Sequence, residues 1–190
     1  MKNNFCKHIA APFEMSPAVL DNLQAQYSRF DTNMMFWLKF ADMDSNFVKF
    51  LAQCRMMVHH AEAFYIAPGQ SLVIHIDGPT ISNCCKLNWV YGGQGSKMQW
   101  WAQKDPDRQL ETKRTPTGTR YVQFDREECE MIWSDSIGCP SLVNVGVPHS
   151  VDNSMSSESR WCLSYMLSDS ETDKKLEWAD AADRLKDYWI

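Results

Sequence analysis

The sequence has no long apolar run. No stretch approaches the roughly 18 uncharged apolar residues of a membrane-spanning helix, and residues 1–12 lack the apolar segment of about 7–15 residues that marks a secretory signal. It also has no run of lysine or arginine, and its formal net charge is -5. Because tight nucleic-acid binding needs a basic surface, a long nucleic acid is not an expected partner. We expect a cytoplasmic protein that binds neither membranes nor long nucleic acids.

Several short motifs of common enzymes are absent. The patterns GxGxxG, GxxxxGK[ST] and GxSxG do not occur, which argues against nucleotide phosphate binding and against a serine hydrolase. There are seven cysteines, an odd number, and no CxxC pair. In a chain with no secretion signal this predicts reduced thiols, and it disfavours a structural zinc site built from thiolates.

The two ends of the chain have the pattern of helices. The first 60 residues are predicted to be helical, with Ser16-Pro17 opening one apolar stripe and a second stripe running through residues 47–58. The first stripe comprises Leu20, Leu23, Tyr27 and Phe30. A third helix is predicted over residues 170–189, capped by Ser170 and lying across the outside of a sheet.

The middle of the chain, residues 61–168, has the pattern of many short strands. Apolar and β-branched runs alternate with Gly, Pro, Asp or Ser, which indicates a β-sandwich or barrel. The predicted strands are residues 63–66, 71–77, 84–91, 97–101, 120–124, 129–133, 141–147 and 160–167. With 190 residues, no linker and no repeat, we expect a single domain, 1–190, that is mainly β with flanking helices.

His75 and Asp77 are the first candidate site residues. They lie two apart in an apolar strand, so both project from one face while Leu72, Ile74 and Ile76 face the other. A lone HxD triplet is also compatible with an ordinary polar strand face. However, a carboxylate deep in an apolar strand is costly unless it meets a cation or hydrogen-bond donors.

His149 is the third candidate. It ends the apolar strand that begins at Ser141 and lies 149 − 77 = 72 residues beyond Asp77, room for about five strands that return the chain to the HxD pair. Two imidazoles and one carboxylate on one face of a metal leave the opposite positions open. This is the ligand set of non-haem Fe(II) sites that bind a cosubstrate and O₂.

Arg160 opens the last apolar strand, 160 − 149 = 11 residues after His149. If alternation holds, it points inward together with Cys162 and Ser164, and no acidic residue at a matching strand position is an obvious partner. A buried, unpaired guanidinium costs about 3–5 kcal/mol, so a bound carboxylate is a reasonable partner. The alternative is a surface ion pair with Glu158 or Asp169.

Other residues carry weaker signals. Asn88, on a strand after the HxD strand, is a candidate polar pocket residue, whereas core or surface packing is equally compatible with Trp101. The adjacent pair His59-His60 is not expected to bind a metal, because neighbouring side chains point in different directions.

The order HxD, distal His, then Arg resembles the Fe(II)/2-oxoglutarate-dependent dioxygenases. The Pro68-Gly69 turn before the HxD strand is similar to that of small members, and the resemblance spans residues 61–167. It implies a double-stranded β-helix (jelly roll, cupin-like) with N-terminal helices and a C-terminal helix. By residue, it implies that His75, Asp77 and His149 bind Fe(II) and that Arg160 holds the distal carboxylate of 2-oxoglutarate.

The implied activity is hydroxylation of a C–H bond in a small molecule or peptide side chain, using O₂ and releasing succinate and CO₂. Many relatives have Ser or Thr two residues after the arginine. Here Cys162 holds that place, so Ser164 and Asn88 are the remaining polar candidates for cosubstrate binding. The halogenating branch lacks the carboxylate ligand, so Asp77 favours hydroxylation. The alternatives are a cupin-like metal-binding or isomerising protein that does not use 2-oxoglutarate, and a purely structural module.

Overall fold

Twelve strands and three α-helices make up the part of the protein that the structure describes. This computed structural model describes residues 3–27, 32–108 and 111–190. The helices are α1 (Pro17–Tyr27), α2 (Ser45–Gln53) and α3 (Trp178–Arg184), with 3₁₀ turns at Phe40–Asp42, Arg126–Glu128 and Lys186–Tyr188. The strands are β1 (Cys6–His8), β2 (Met34–Trp37), β3 (Met56–Ile66), β4 (Ile74–Asp77), β5 (Cys85–Gly92), β6 (Lys97–Gln103), β7 (Thr112–Arg114), β8 (Arg120–Phe124), β9 (Cys129–Asp135), β10 (Ser141–Asn144), β11 (His149–Asp152) and β12 (Arg160–Asp169).

The strands form two antiparallel sheets of six. The first sheet has the order β1-β10-β5-β12-β3-β2, and the second has the order β7-β8-β4-β11-β6-β9. From β3 to β6 and from β9 to β12, consecutive strands alternate between the two sheets. Four strands of each sheet therefore wind into a double-stranded β-helix, which confirms the predicted jelly roll: β3, β5, β10 and β12 in the first sheet and β4, β6, β9 and β11 in the second.

The central strand β12 shows why the sequence adopts this arrangement. It pairs with both β3 and β5, and all its residues except the last are buried. Side chains alternate along a strand, so one face of β12 points between the sheets and the other packs under the helices. The helix side includes Leu163 and Tyr165, which share one apolar cluster with Phe47 and Phe50 of α2.

The N-terminal half is less helical than predicted. The helix α1 begins at Pro17 as expected, although Phe30 of its predicted stripe lies outside the described residues. The second predicted helix is wrong beyond Gln53. Asp44 caps α2 by accepting from two backbone N–H groups, but Arg55 has a φ of 55° and ends the helical path. The following residues, including the His59-His60 pair, form β3, because their backbone groups pair with β12.

The C-terminal helix is shorter than predicted. Ser170 does not cap it, because Asp169 accepts hydrogen bonds from the backbone N–H groups of Glu171 and Thr172 and forms a turn there. The helix α3 begins only at Trp178. It packs its buried alanines into the apolar cluster on the outside of the first sheet, so its predicted position is correct. None of the helices in the described ranges is long and apolar enough to cross a membrane.

Candidate metal centre

Two neighbouring strands bring His75 and His149 together. In the pairing of β4 with β11 these residues are directly opposite, and their ring centroids lie 4.3 Å apart. The prediction that the chain folds back and places His149 beside the HxD strand is thus confirmed by the strand pairing. Six strands lie between β4 and β11 along the chain. The strand β4 extends only over residues 74–77. Ile74 and Ile76 face away from the histidines, as predicted, whereas Leu72 precedes the strand and borders the site.

The backbone fixes the orientation of both imidazoles. The Nδ1 atom of His75 lies 2.8 Å from the carbonyl oxygen of Val73, and Nδ1 of His149 lies 2.9 Å from that of Val147. Because a carbonyl oxygen can only accept, each neutral ring carries its hydrogen on Nδ1 and leaves the lone pair of Nε2 free. Histidine ligands of metals are usually held in this way.

Asp77 completes a set of three donors. Its Oδ1 atom is 3.6 Å from Nε2 of His75, and one ligand atom from each of His75, Asp77 and His149 lies within 4.8 Å of the others. Donors that coordinate one ion from one side have this spacing. The three residues predicted from the sequence therefore form a candidate metal-binding group.

Charges and burial keep His149 and Asp77 in the forms that bind a cation. Burial, with a smaller contribution from the neighbouring His75, lowers the pKa of His149 to about 3, so His149 is neutral near pH 7. Burial alone would raise the pKa of Asp77, but Lys86 and the two histidines outweigh this effect and hold the pKa well below its usual range. Neutral imidazole and ionised carboxylate are the states that metal ligands need.

Lys86 is a residue of the site that the sequence did not indicate. Its Nζ atom lies 2.8 Å from Oδ2 of Asp77 and 2.9 Å from Oε2 of Glu62, and its side chain is 3% exposed. Glu62 also accepts hydrogen bonds from the hydroxyls of Thr117 and Thr119. Lys86 and Glu62 belong to the first sheet and Asp77 to the second, so this network connects the two sheets beside the donor group.

Arg160 is buried at the inner end of the site, as alternation along β12 predicted. Its side chain hydrogen-bonds Cys162, and among the described residues no carboxylate lies within 4.0 Å of its guanidinium. The alternative of a surface ion pair is wrong, because Asp169 pairs with Arg184 instead. The left-handed backbone of Gly93 closes over Arg160, where a Cβ would lie 2.6 Å from the arginine Cβ. The close packing fixes the first carbon atoms of the Arg160 side chain.

Ser164 and Asn88 face the same space. The Ser164 hydroxyl donates a hydrogen bond of 2.7 Å to Oδ1 of Asn88, and both side chains are buried. They line a small cavity that also borders Arg160 and the three candidate ligands. All six site residues predicted from the sequence therefore meet around one cavity.

Two connected cavities flank the candidate ligands. The inner one, about 40 Å³, contains Arg160, and the outer one, about 270 Å³, opens between the two sheets. Four residues border both cavities, so the donor group lies at the junction between them: Phe64, Leu72, His75 and Asp77. By contrast, Trp101 lies on the other face of the second sheet, where its indole N–H bonds Ser150.

Comparison with known proteins gives structural likeness only. No family model matches the chain, and no curated protein matches it. HygX from Streptomyces hygroscopicus, solved with nickel and 2-oxoglutarate, is similar over 84% of this chain and 81% of its own, at 11% identity and a TM-score of 0.49. The E. coli protein ycfD is similar over 81% of this chain but only 36% of its own, at 13% identity and a TM-score of 0.43. An oxalate decarboxylase from Bacillus subtilis shares 9% identity over 78% of this chain and 29% of its own, with a TM-score of 0.34.

Proposed function

We propose that this chain is an Fe(II)- and 2-oxoglutarate-dependent dioxygenase that hydroxylates a C–H bond. The observation that carries the proposal is the buried guanidinium of Arg160, which faces the same cavity as His75, Asp77 and His149 and has no carboxylate partner in the described part of the chain. Since an uncompensated buried charge is strongly unfavourable, this position is suited to an anion that enters with the metal.

The residues present fit an iron site. Two Nε2 lone pairs and one carboxylate oxygen converge, and nitrogen and oxygen donors of this kind form the facial triad of non-haem Fe(II) oxygenases. His75, Asp77 and His149 would hold Fe(II). When bound, iron with 2-oxoglutarate and O₂ supplies the oxidation of a C–H bond to an alcohol, with release of succinate and CO₂.

The protein's own groups would position the cosubstrate and exclude water. Arg160 offers a planar set of N–H donors that matches a carboxylate, and Cys162 holds this guanidinium in place. Lys86 is less suited to this task, because Asp77 and Glu62 already neutralise it. Arg160 is therefore the anchor for the distal carboxylate of 2-oxoglutarate.

The inner cavity is smaller than 2-oxoglutarate, so side chains must move when the cosubstrate enters. The long, unbranched side chain of Met98 borders this cavity and changes conformation at low cost. Leu72 stands at the junction with the outer cavity, so its side chain lies in the path of a ligand that enters the inner cavity. These two residues are the ones that we expect to shift.

The outer cavity is the proposed substrate site. Apolar side chains supply most of its lining, among them Met34, Phe64 and Tyr121, while His75 and Asp77 lie at its inner end. This composition suits an apolar small molecule or an apolar peptide side chain. Asp77 would hold the metal through its carboxylate, a ligand that the halogenating branch lacks, which favours hydroxylation over halogenation. The net charge of -5 disfavours a long nucleic acid as substrate.

A second candidate is a cupin-like metal-binding or isomerising protein that does not use 2-oxoglutarate. The inner cavity, at about 40 Å³, favours it, because this space accommodates a smaller anion without rearrangement. The two candidates share the fold and the pocket, but the second uses a different metal or none and does not use 2-oxoglutarate.

Turnover of 2-oxoglutarate in the absence of a substrate tests the proposal. Purified protein with Fe(II), ascorbate and O₂ is expected to convert 2-oxoglutarate slowly to succinate. His149→Ala should abolish this reaction because it removes one of three ligands, whereas His59→Ala, which alters an exposed histidine, should not. Metal binding without any succinate in the wild type would contradict the proposal and favour the second candidate.

A further inference from the structure

A second group of metal-binding side chains lies away from the candidate iron site. Cys6 and His8 are on β1, the edge strand of the first sheet, and Asp135 ends β9, the edge strand of the second. One donor atom from each of the three lies within 4.8 Å of the others. The edges of the two sheets thus meet at a thiol, an imidazole and a carboxylate.

The hydrogen bonds around His8 fix which ring nitrogen is free. Its Nδ1 atom lies 2.8 Å from the Ser141 hydroxyl, and this hydroxyl donates its hydrogen to the Cys139 carbonyl oxygen, 3.0 Å away. A hydroxyl has one hydrogen, so Ser141 can only accept from His8. The neutral ring therefore carries its hydrogen on Nδ1 and presents the lone pair of Nε2.

That lone pair faces a carboxylate. Nε2 of His8 lies 3.6 Å from Oδ2 of Asp135. Two acceptors repel each other unless the histidine gains a proton or a cation lies between them. Two ligands of a tetrahedral zinc ion, each about 2.0–2.1 Å from it, are about 3.4 Å apart, so the observed spacing suits a shared ion.

Cys6 supplies a softer donor at the same place. It is buried, with 2% of its surface exposed. Burial raises the pKa of the Cys6 thiol to about 12, with a smaller contribution from the Asp135 carboxylate, so without a metal the sulfur stays protonated. A coordinated metal reverses this by binding the thiolate and releasing the proton.

We propose that Cys6, His8 and Asp135 form a second metal site, for Zn²⁺, that joins the edges of the two sheets. Thiolate, imidazole and carboxylate together favour zinc over the harder ions that prefer oxygen ligands alone. The site holds β1, a strand of only three residues, against the second sheet. It does not rest on the oxygenase proposal, because it shares no residue with the iron site.

The absence of a CxxC pair argues against a zinc site built from several thiolates. It does not argue against a site such as Cys6, His8 and Asp135, which has a single thiolate. Its candidate ligands lie on β1 and β9, which are far apart in the sequence, and only one of the three is a cysteine. The i, i+2 spacing of Cys6 and His8 on one strand face is the single local signal.

Cobalt titration tests the proposal. Reduced, metal-free protein is titrated with Co²⁺ and followed in the near ultraviolet, where thiolate-to-cobalt charge transfer absorbs. The candidate iron site contains no thiolate ligand, so this band reports on the second site alone. The candidate iron site also takes up cobalt, so we expect the band to saturate at no more than two cobalt per chain and to disappear when Zn²⁺ is added.

The variants distinguish a metal site from a hydrogen-bonded cluster. Cys6→Ser should abolish the band, and Asp135→Asn, a partly exposed change that spares the core, should weaken Co²⁺ binding at least tenfold. Cys54→Ser, which alters a buried cysteine elsewhere, should change neither. No band in the wild type, or an unchanged band in Cys6→Ser, would overturn the proposal and leave a His–Asp ion pair at this edge.

Discussion

The Nζ atom of Lys86 lies 2.8 Å from Oδ2 of Asp77, so one oxygen of this carboxylate is already paired. The other oxygen, Oδ1, is the one that faces His75. Lys86 thereby orients Asp77 as a ligand that offers a single oxygen. The same ammonium pairs with Glu62, a carboxylate that has no exposed surface.

Replacing Lys86 with methionine is expected to lower the free energy of unfolding by about 3–5 kcal/mol. Methionine fills most of the volume but leaves the charge of Glu62 buried without its cation, and an uncompensated buried charge has a cost of this size. Urea denaturation of the metal-free protein measures the change. The double variant Lys86→Met/Glu62→Gln should recover part of the loss, because the unpaired charge of Glu62 is then gone while that of Asp77 remains. A cost below about 1 kcal/mol, comparable with the exposed control Lys174→Met, would contradict this role.

The hydrogen bond from Ser164 to Asn88 leads to a second prediction. Ser164→Ala leaves the buried Oδ1 atom of Asn88 without its donor, at an expected cost of about 1–3 kcal/mol in stability. Its effect on 2-oxoglutarate affinity should be smaller than that of Arg160→Ala, since the Ser164 hydrogen is directed at Asn88. Urea denaturation and cosubstrate titration measure the two effects, with the exposed Ser134→Ala as the control. A full loss of cosubstrate binding would make Ser164 the main anchor.

His60 is expected to make the protein sensitive to acid. Burial, together with the charges of Lys86 and Lys175, lowers the pKa of His60 from its usual 6.5 to about 4, although Glu62 opposes this shift. Because the folded pKa lies below the unfolded one, the unfolded chain takes up the proton first as pH falls. The contribution of neutral His60 to the free energy of unfolding is fully present above about pH 6.5 and is lost between about pH 6.5 and 4. Below about pH 4, His60 causes no further change.

The test compares unfolding free energies at pH 7 and pH 4.5. His60→Gln should lose less stability over this interval than the wild type, by an amount on the order of 2–3 kcal/mol. The exposed neighbour provides the control, since His59→Gln should retain the full acid sensitivity. Equal pH dependence in His60→Gln and the wild type would show that His60 titrates normally in the folded state.

The candidate site was predictable from the sequence because it follows from strand alternation. His75 with Asp77, and Arg160 with Ser164, are each an even number of residues apart on a strand, so the backbone period places them on one face. Predicting that His149 joins them required only the assumption that a later strand pairs with the HxD strand. Element types were predictable where an apolar run was long, as in β12, and the bounds of β8 were predicted without error.

The rest could not be predicted, because it depends on partners distant in the sequence. The strands β1, β2 and β7 are short and have no distinct pattern of their own; they form because an established sheet edge pairs with them. Lys86 is a single lysine within a predicted strand, and the sequence does not indicate its partners. Only the fold brings two carboxylates to its ammonium group. The C-terminal helix begins later than predicted because residues before it form β-bridges: Lys175 bridges Ser168 and Glu177 bridges Cys84.

The measurement that tests the central claim most directly is anaerobic titration of 2-oxoglutarate into the Fe(II)-loaded protein. Bidentate chelation of iron by the cosubstrate should produce a weak visible charge-transfer band that saturates at one equivalent. Arg160→Ala should keep its iron but bind 2-oxoglutarate about 30-fold to several thousand-fold more weakly, which corresponds to losing roughly 2–5 kcal/mol from a buried ion pair. The exposed control Arg120→Ala should match the wild type. A wild type that binds Fe(II) but shows no band at any 2-oxoglutarate concentration would contradict the account.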